Sequence, residues 1–248
     1  TRADFERLRR EGLRRLRRWR DGDECDSREL IEACVDRRSG AVPSDRLFLK
    51  RVKDRRDVAV LLLTDLSRST ASRVPGTDAS VLDIEKQAIV VLCEALAVLG
   101  DDFAAAGFSG SGRRGVEYVR IKEFGEPLSS AVRGRIGALR PQRNTRMGAA
   151  IRHAGRQLAA APARVRLLIV LSDGFPNDNG YKGAYAAADT RQALIELGSR
   201  RIRFHALTVN LPAEPKLDEL YGRARHHVIS DVRELPERLL RVYGSLTR

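Results

Sequence analysis

Two short apolar runs limit what this chain can fold into. Val58–Leu63 (VAVLLL) and Val165–Leu171 (VRLLIVL) carry large apolar side chains on both faces of an extended strand and are too short for ordinary helices. A strand apolar on both faces has to be covered on both, as a parallel strand is when helices lie above and below it. Both runs then end in acid and hydroxyl. The first continues into Asp65-Leu66-Ser67-Arg68-Ser69-Thr70 and the second into Ser172-Asp173-Gly174.

Around these runs, strand and helix patterns alternate. Val81–Leu99 has helical periodicity, with Ile84, Ala88, Val91, Leu92, Ala95 and Val98 on one face. Phe103–Phe108 reads as a strand, and Val116–Ile121 alternates like a half-exposed edge strand. Helices are expected at 128–139 and Met147–Ala160, then helix 190–197, strand Ile202–Val209, a short helix at Leu217–Tyr221, a short strand at 227–229 and a final helix Leu235–Leu246. This pattern predicts a doubly wound α/β domain over residues 57–248, with a mostly parallel sheet and one antiparallel edge strand. Residues 1–56 read as a basic helical extension: a first helix carrying Phe5, Leu8, Gly12, Leu16 and Trp19 on one face, a break at Gly22-Asp23, and a second helix from Ser27 that Gly40 and Pro43 end.

Charge matters most in that extension. The 248 residues carry a formal net charge of +13, and eight arginines fall between Arg7 and Arg20 with Glu11 the single acid among them. Such a block suits an acidic protein surface, the rest of a longer chain, or nucleic acid. The amphipathic spacing favours the first two. Cys25, Cys34 and Cys93 are too few and too scattered for a disulfide framework or a zinc site, so a cytoplasmic setting is expected. No apolar run approaches membrane-spanning length, and membrane insertion is not expected. The chain begins at Thr1, which suggests an excerpt of a longer protein.

In open α/β sheets, sites form beyond the C-terminal ends of the strands, where the strand order reverses. Asp65, Ser67 and Ser69 follow one buried strand and Asp173 follows another, while Thr145 starts the helix just before the second. Two acids and three hydroxyls can meet there. Their donors are all oxygen, which suits a hard cation, Mg²⁺ first and Mn²⁺ or Ca²⁺ as alternatives. Two carboxylates cannot fill an octahedral shell, so water or another molecule's acid must complete it.

Asp65-x-Ser67-x-Ser69, with Thr145 80 positions on and Asp173 a further 28, resembles the metal-ion-dependent adhesion site of von Willebrand factor A domains. The resemblance implies that Ser67, Ser69 and Thr145 bind the ion directly and that Asp65 and Asp173 act through ion-bound waters, leaving the ion electrophilic towards a partner's Asp or Glu. The run Asp173-Gly174-Phe175-Pro176-Asn177-Asp178, with Tyr181, Gly183, Tyr185 and Asp189-Thr190-Arg191, and Gly22-Asp23-Glu24-x-Asp26 near the start, is similar to the NorD/CbbO group of bacterial von Willebrand A proteins. That resemblance implies a non-enzymatic adaptor for a MoxR-type AAA+ ATPase, engaging a client that is rubisco in one branch and nitric oxide reductase in the other. The loop Phe175–Asp189 would then form a shaped rim beside the ion.

Competing readings are weaker. Gly110-Ser111-Gly112-Arg113-Arg114-Gly115 matches a dinucleotide-binding pattern, but a strand follows it where a helix N-terminus would be needed, so it reads as a mobile hairpin. Asp65 could serve a metal-dependent phosphatase or hydrolase as nucleophile, but Ser67 stands where such a site places a second acid. His153, His205, His226 and His227 fall in helix or strand contexts, and no phosphate-binding loop of the GxxxxGK[ST] type occurs.

Overall fold

The structure, a computed structural model, describes residues 13–22, 24–53, 57–209 and 217–246. The chain divides into two compact units, Thr1–Arg56 and Asp57–Arg248.

The first unit departs from the helical expectation. Leu13–Trp19 is a strand, β1, and it pairs antiparallel with β3 (Phe48–Lys53), which also pairs with the two-residue β2 (Glu24–Cys25). The spacing of Leu13, Leu16 and Trp19 fits a helix locally, but pairing with a segment some thirty residues later decides the matter. Phe5, Leu8 and Gly12 lie outside the described residues. The second expected helix is present as α1 (Ser27–Ser39), where the Asp26 side chain accepts from the Arg28 amide and Gly40 closes the helix at φ 79°. A bulge lies between Leu16 and Trp19, with Arg18 at φ 62°, and the consecutive Arg17 and Arg18 both reach the start of α1. Arg17 meets Asp26 at 2.6 Å and Arg18 meets Glu29 at 2.9 Å.

In the second unit six strands run in the order β6-β5-β4-β7-β8-β9: β4 (Val58–Asp65), β5 (Asp102–Gly110), β6 (Val116–Lys122), β7 (Val165–Ser172), β8 (Ile202–Val209) and β9 (Arg225–Ile229). All adjacent pairs are parallel except β5 with β6, which makes β6 the antiparallel edge. Every residue of β4 is buried, and each large apolar side chain there contributes about 1.5–3 kcal/mol relative to exposure. Leu61, Leu63, Leu168 and Val170 pack under α4 (Met147–Ala160) and α5 (Gly183–Ser199), along with Leu220 and Tyr221 of α6 (Leu217–Tyr221). The other face is covered by α2 (Val81–Leu99), which packs on α3 (Ser130–Gly137) and α7 (Leu235–Leu246). The helix α2 opens with a reciprocal Ser80–Asp83 capping box and ends at Gly100 with φ 78°.

Two expectations shift in detail. The buried stripe of α2 includes Leu82, Glu85, Ile89 and Leu96, whereas Val98 is exposed. Helix α5 begins at Gly183, not at Thr190, so the rim expected as a loop to Asp189 is helical over its second half.

Candidate metal centre

The sheet order reverses at β4: the next strand in sequence, β5, lies on one side of it and β7 on the other. The segments that leave β4 and β7 therefore diverge and open a crevice at their C-terminal ends. Backbone hydrogen bonds fix the walls of that crevice. Leu66 accepts from the Gln142 amide at 2.6 Å, the Arg68 amide donates to Arg143 at 3.0 Å, and the Thr145 amide donates to Asn177 at 3.0 Å. Three loops from different parts of the chain are thereby tied into one rim.

The five residues singled out from the sequence meet there. The buried Asp65 carboxylate accepts from the Ser67 amide on one oxygen and from the Thr145 hydroxyl on the other, both at 2.8 Å. The Ser67 and Ser69 hydroxyls are 2.9 Å apart. Thr70 fixes the turn by donating its hydroxyl to the Ser67 carbonyl at 2.7 Å. Ser172 does the same for the second loop, its hydroxyl donating to the Gly174 carbonyl at 2.9 Å. The cluster runs from buried Asp65 to exposed Ser69, with Asp173 half-buried, so it is open to solvent on one side.

Its electrostatics invite a cation. Burial, and then the nearby charge of Asp173, push the Asp65 carboxyl up to about 7, against the hydrogen bonds from Thr145 and Ser67. Burial also raises Asp173. Among the described residues neither acid has a basic partner. No group of three or more His, Cys, Asp or Glu side chains that could hold a metal occurs among the described residues either, so hydroxyls would have to supply part of any coordination shell. Two desolvated carboxylates and three hydroxyls, all oxygen donors, fit Mg²⁺ or a similar hard ion.

A second acid cluster stands beside the first. Asp178 is fully buried against Arg146 at 2.8 Å, and it accepts from the amides of Gly112 and Asn179 and from the Asn144 side chain. Burial alone would raise Asp178, but Arg146 and these donors outweigh it and bring its carboxyl down to about 2. The bond to Gly112 pins the tip of the β5–β6 turn, so the hairpin expected to be free is anchored here. Arg146 also lies over the Tyr181 ring at 4.4 Å, and the Tyr181 hydroxyl donates to Asp189 at 2.6 Å. Helix α4 approaches that pair closely: a Cβ on Gly148 would lie 2.1 Å from an Asp189 oxygen. Asp178, Tyr181 and Asp189 stood out in the sequence as part of a resemblance, but their role of holding the rim was not legible. Arg146 was overlooked, although an arginine directly after Thr145 is a visible signal.

No family model matches the chain. Among solved structures, it is similar in fold to a von Willebrand factor type A protein from Catenulispora acidiphila (TM-score 0.57, 21% identity, 80% of this chain and 44% of that one). It is also similar to the von Willebrand domain of the type V pilus tip protein Mfa5 from Porphyromonas gingivalis (TM-score 0.57, 11% identity, 77% of this chain and 96% of that one). The second unit has the von Willebrand A fold. In sequence the chain is 37% identical over 247 residues to Protein NorD of Brucella melitensis biotype 1, which is 99% of this chain and 38% of the relative. It is 36% identical over 231 residues to Protein NorD of Stutzerimonas stutzeri, 93% of this chain and 37% of that one. An uncharacterized Pseudomonas aeruginosa protein is 41% identical over 240 residues, covering 96% of this chain and 39% of that one. The chain is thus similar in sequence to proteins named NorD, and it spans under two fifths of the length of the curated relatives it matches.

Proposed function

We propose that this chain is the metal-dependent, protein-binding part of an adaptor: a divalent cation held by Asp65, Ser67, Ser69, Thr145 and Asp173 captures one Asp or Glu side chain of a client protein. The observation that carries the reading is the hydrogen-bonded convergence of Asp65, Ser67, Ser69 and Thr145 at the switch point of the sheet, with the Asp173 carboxylate near enough for its charge to act on Asp65. Ser67, Ser69 and Thr145 would hold the ion directly, and Asp65 and Asp173 through water. When bound, the ion supplies an electrophilic position for the incoming carboxylate. Two acids against one divalent charge leave the site close to neutral, so a third carboxylate is accepted without strong repulsion. Such a contact is directional, which gives specificity.

The partners of Asp65 are hydroxyls and an amide, not a histidine or lysine, which supports binding over a phosphatase or hydrolase reaction using Asp65. Arg17, Arg18 and Arg20 are paired with Asp26, Glu29 and Asp45, which supports an internal or protein-facing role for the basic segment over nucleic acid. The relatives named NorD support an accessory role. A MoxR-type AAA+ ATPase as force-generating partner belongs to the same proposal. So does nitric oxide reductase as the first client to test, with rubisco second. No described helix is long and apolar enough to cross a membrane. The cytoplasm is the proposed setting, since Cys25, Cys34 and Cys93 are all free.

The test has two parts. Calorimetric titration of Mg²⁺ and Mn²⁺ should show binding to the wild type and little or none to Ser67→Ala/Ser69→Ala, and equal responses would end the assignment. Client pull-down should succeed in Mg²⁺ and fail in EDTA or when one client surface acid becomes Asn or Gln. Binding that survives both treatments would show that the ion plays no part in recognition.

A further inference from the structure

The loops that frame the candidate metal centre are poor in acid and rich in base. Over residues 66–70, 109–115, 142–146 and 174–182 the single carboxylate is Asp178, against six basic side chains: Arg68, Arg113, Arg114, Arg143, Arg146 and Lys182. Arg146 is committed to Asp178 at 2.8 Å. The other five are exposed, and none has an ion pair among the described residues. On α7, by contrast, Arg238 and Arg241 pair with Glu234 and Glu237 one turn away. The framing loops supply no such acid.

Short contacts tie all five to the oxygen cluster. Arg68 stands between Ser67 and Ser69, and its amide donates to the Arg143 carbonyl at 3.0 Å. Gly110 and Asn144 exchange backbone hydrogen bonds at 2.6 and 3.0 Å, which sets the Arg113–Arg114 turn against the residue before Thr145. Gly112 of that turn donates to Asp178 at 2.9 Å. Lys182 follows Tyr181, whose backbone exchanges two hydrogen bonds of 2.9 Å with Asp178. A cleft of about 430 Å³ opens among these loops, lined by Ser111, Asn144, Asn177, Asn179 and Lys182. Asp178 also lines it, but Arg146 neutralises that charge, so the cleft offers hydrogen-bonding amides and the Lys182 ammonium.

We propose that Arg68, Arg113, Arg114, Arg143 and Lys182 form a basic collar for an acidic patch on the client, not for a lone acid. One carboxylate of the patch reaches the ion, and a second enters the cleft beside Lys182. The inference rests on the metal-binding reading of the cluster, and so on a protein carboxylate as the captured group. Exposed charges act over about 10 Å at 0.1 M salt, so the collar draws an acidic surface in before the ion makes its short contact. The collar thus governs approach and salt dependence, and the ion governs direction.

The test compares the full chain as wild type, Arg113→Gln/Arg114→Gln/Lys182→Gln, Ser67→Ala/Ser69→Ala and a control, Arg156→Gln/Arg164→Gln/Arg200→Gln. The control removes equal charge from exposed positions, and its Arg164 and Arg200 precede β7 and β8 at the opposite end of the sheet. The probes are a short glutamate-rich peptide, the same peptide with all but one Glu changed to Gln, and a DNA duplex, each in Mg²⁺ and in EDTA. We expect the collar variant to bind Mg²⁺ with the wild-type Kd but to hold the glutamate-rich peptide roughly ten-fold more weakly, with a flatter salt dependence. The control should match the wild type, and the single-Glu peptide should barely distinguish wild type from collar variant. If the wild type fails to bind the glutamate-rich peptide, or the collar variant binds it equally well, the collar is refuted. Loss of Mg²⁺ in the double serine variant would then leave the metal centre standing. Equal losses in the collar and control variants would reduce the effect to net charge and refute it too. DNA held through the collar as tightly as the peptide, and unaffected by EDTA, would overturn it in favour of nucleic acid. If the wild type binds no Mg²⁺, both readings fall.

Discussion

Asp65 and Asp178 are two buried carboxylates on the same rim with opposite fates. Asp178 has its cation built into the chain, and with Arg146 and two amides around it the carboxyl is brought down to about 2. Asp65 has hydroxyls, one amide and a second acid, and rises to about 7. Identical side chains at similar depth differ because the chain supplies a counter-charge to one and withholds it from the other. The first is finished as a structural pin. On the proposed reading, the second is completed by a cation from outside, which would distinguish a binding site from a scaffold.

The largest effect expected from this contrast is on metal. Asp65→Ala should abolish Mg²⁺ and Mn²⁺ binding by calorimetry while circular dichroism shows the fold retained, since the residue lies at the sheet's edge. Asp178→Ala should do the reverse. It strands Arg146 in a buried place and should lower stability by about 3–5 kcal/mol in chemical denaturation, equally in metal and in EDTA. A loss seen only with metal would show that the two clusters are not separate.

Acid should sharpen the same comparison. The folded pKa of Asp178 lies below that of an unfolded aspartate, so the unfolded chain binds more protons in that range. Its contribution is complete above about pH 5 and is lost as pH falls through 4 towards 2, a change of about 2–3 kcal/mol that Asp178→Asn should lack. Denaturation midpoints across that window, compared between the two proteins, measure it. The smallest effect belongs to the first unit. The half-exposed Arg17 meets Asp26, and Arg17→Ala should move the denaturation midpoint least of all in the same assay.

The sequence was legible where local pattern and burial agree. Helices Val81–Leu99, Met147–Ala160 and Leu235–Leu246 and strand Ile202–Val209 have the bounds their periodicity predicts. The alternation of Val116–Ile121 marked the antiparallel edge. Pattern misled in the arginine-rich segment, because the three-residue spacing of Leu13, Leu16 and Trp19 suits a helix and the competing strand partner, Phe48–Lys53, is remote. The helix starting at Gly183 was read as loop up to Asp189 because its first turns carry alanines and one exposed tyrosine in place of a stripe of large apolar side chains, and Ala186 is the one buried near the start.

For the site, residue types and spacings singled out five oxygen-bearing side chains at one end of the sheet, because strand ends are local events and a buried apolar run announces its own end. That determination is the sequence's alone. Only the tertiary structure decided that Arg146 would neutralise Asp178, that no basic side chain among the described residues would pair with Asp65, and that Glu85 would be fully buried in the packing of α2. Those outcomes depend on which loops meet at the reversal of strand order, and charges separated by many residues in the chain interact only once folding has brought them together and removed the water between them.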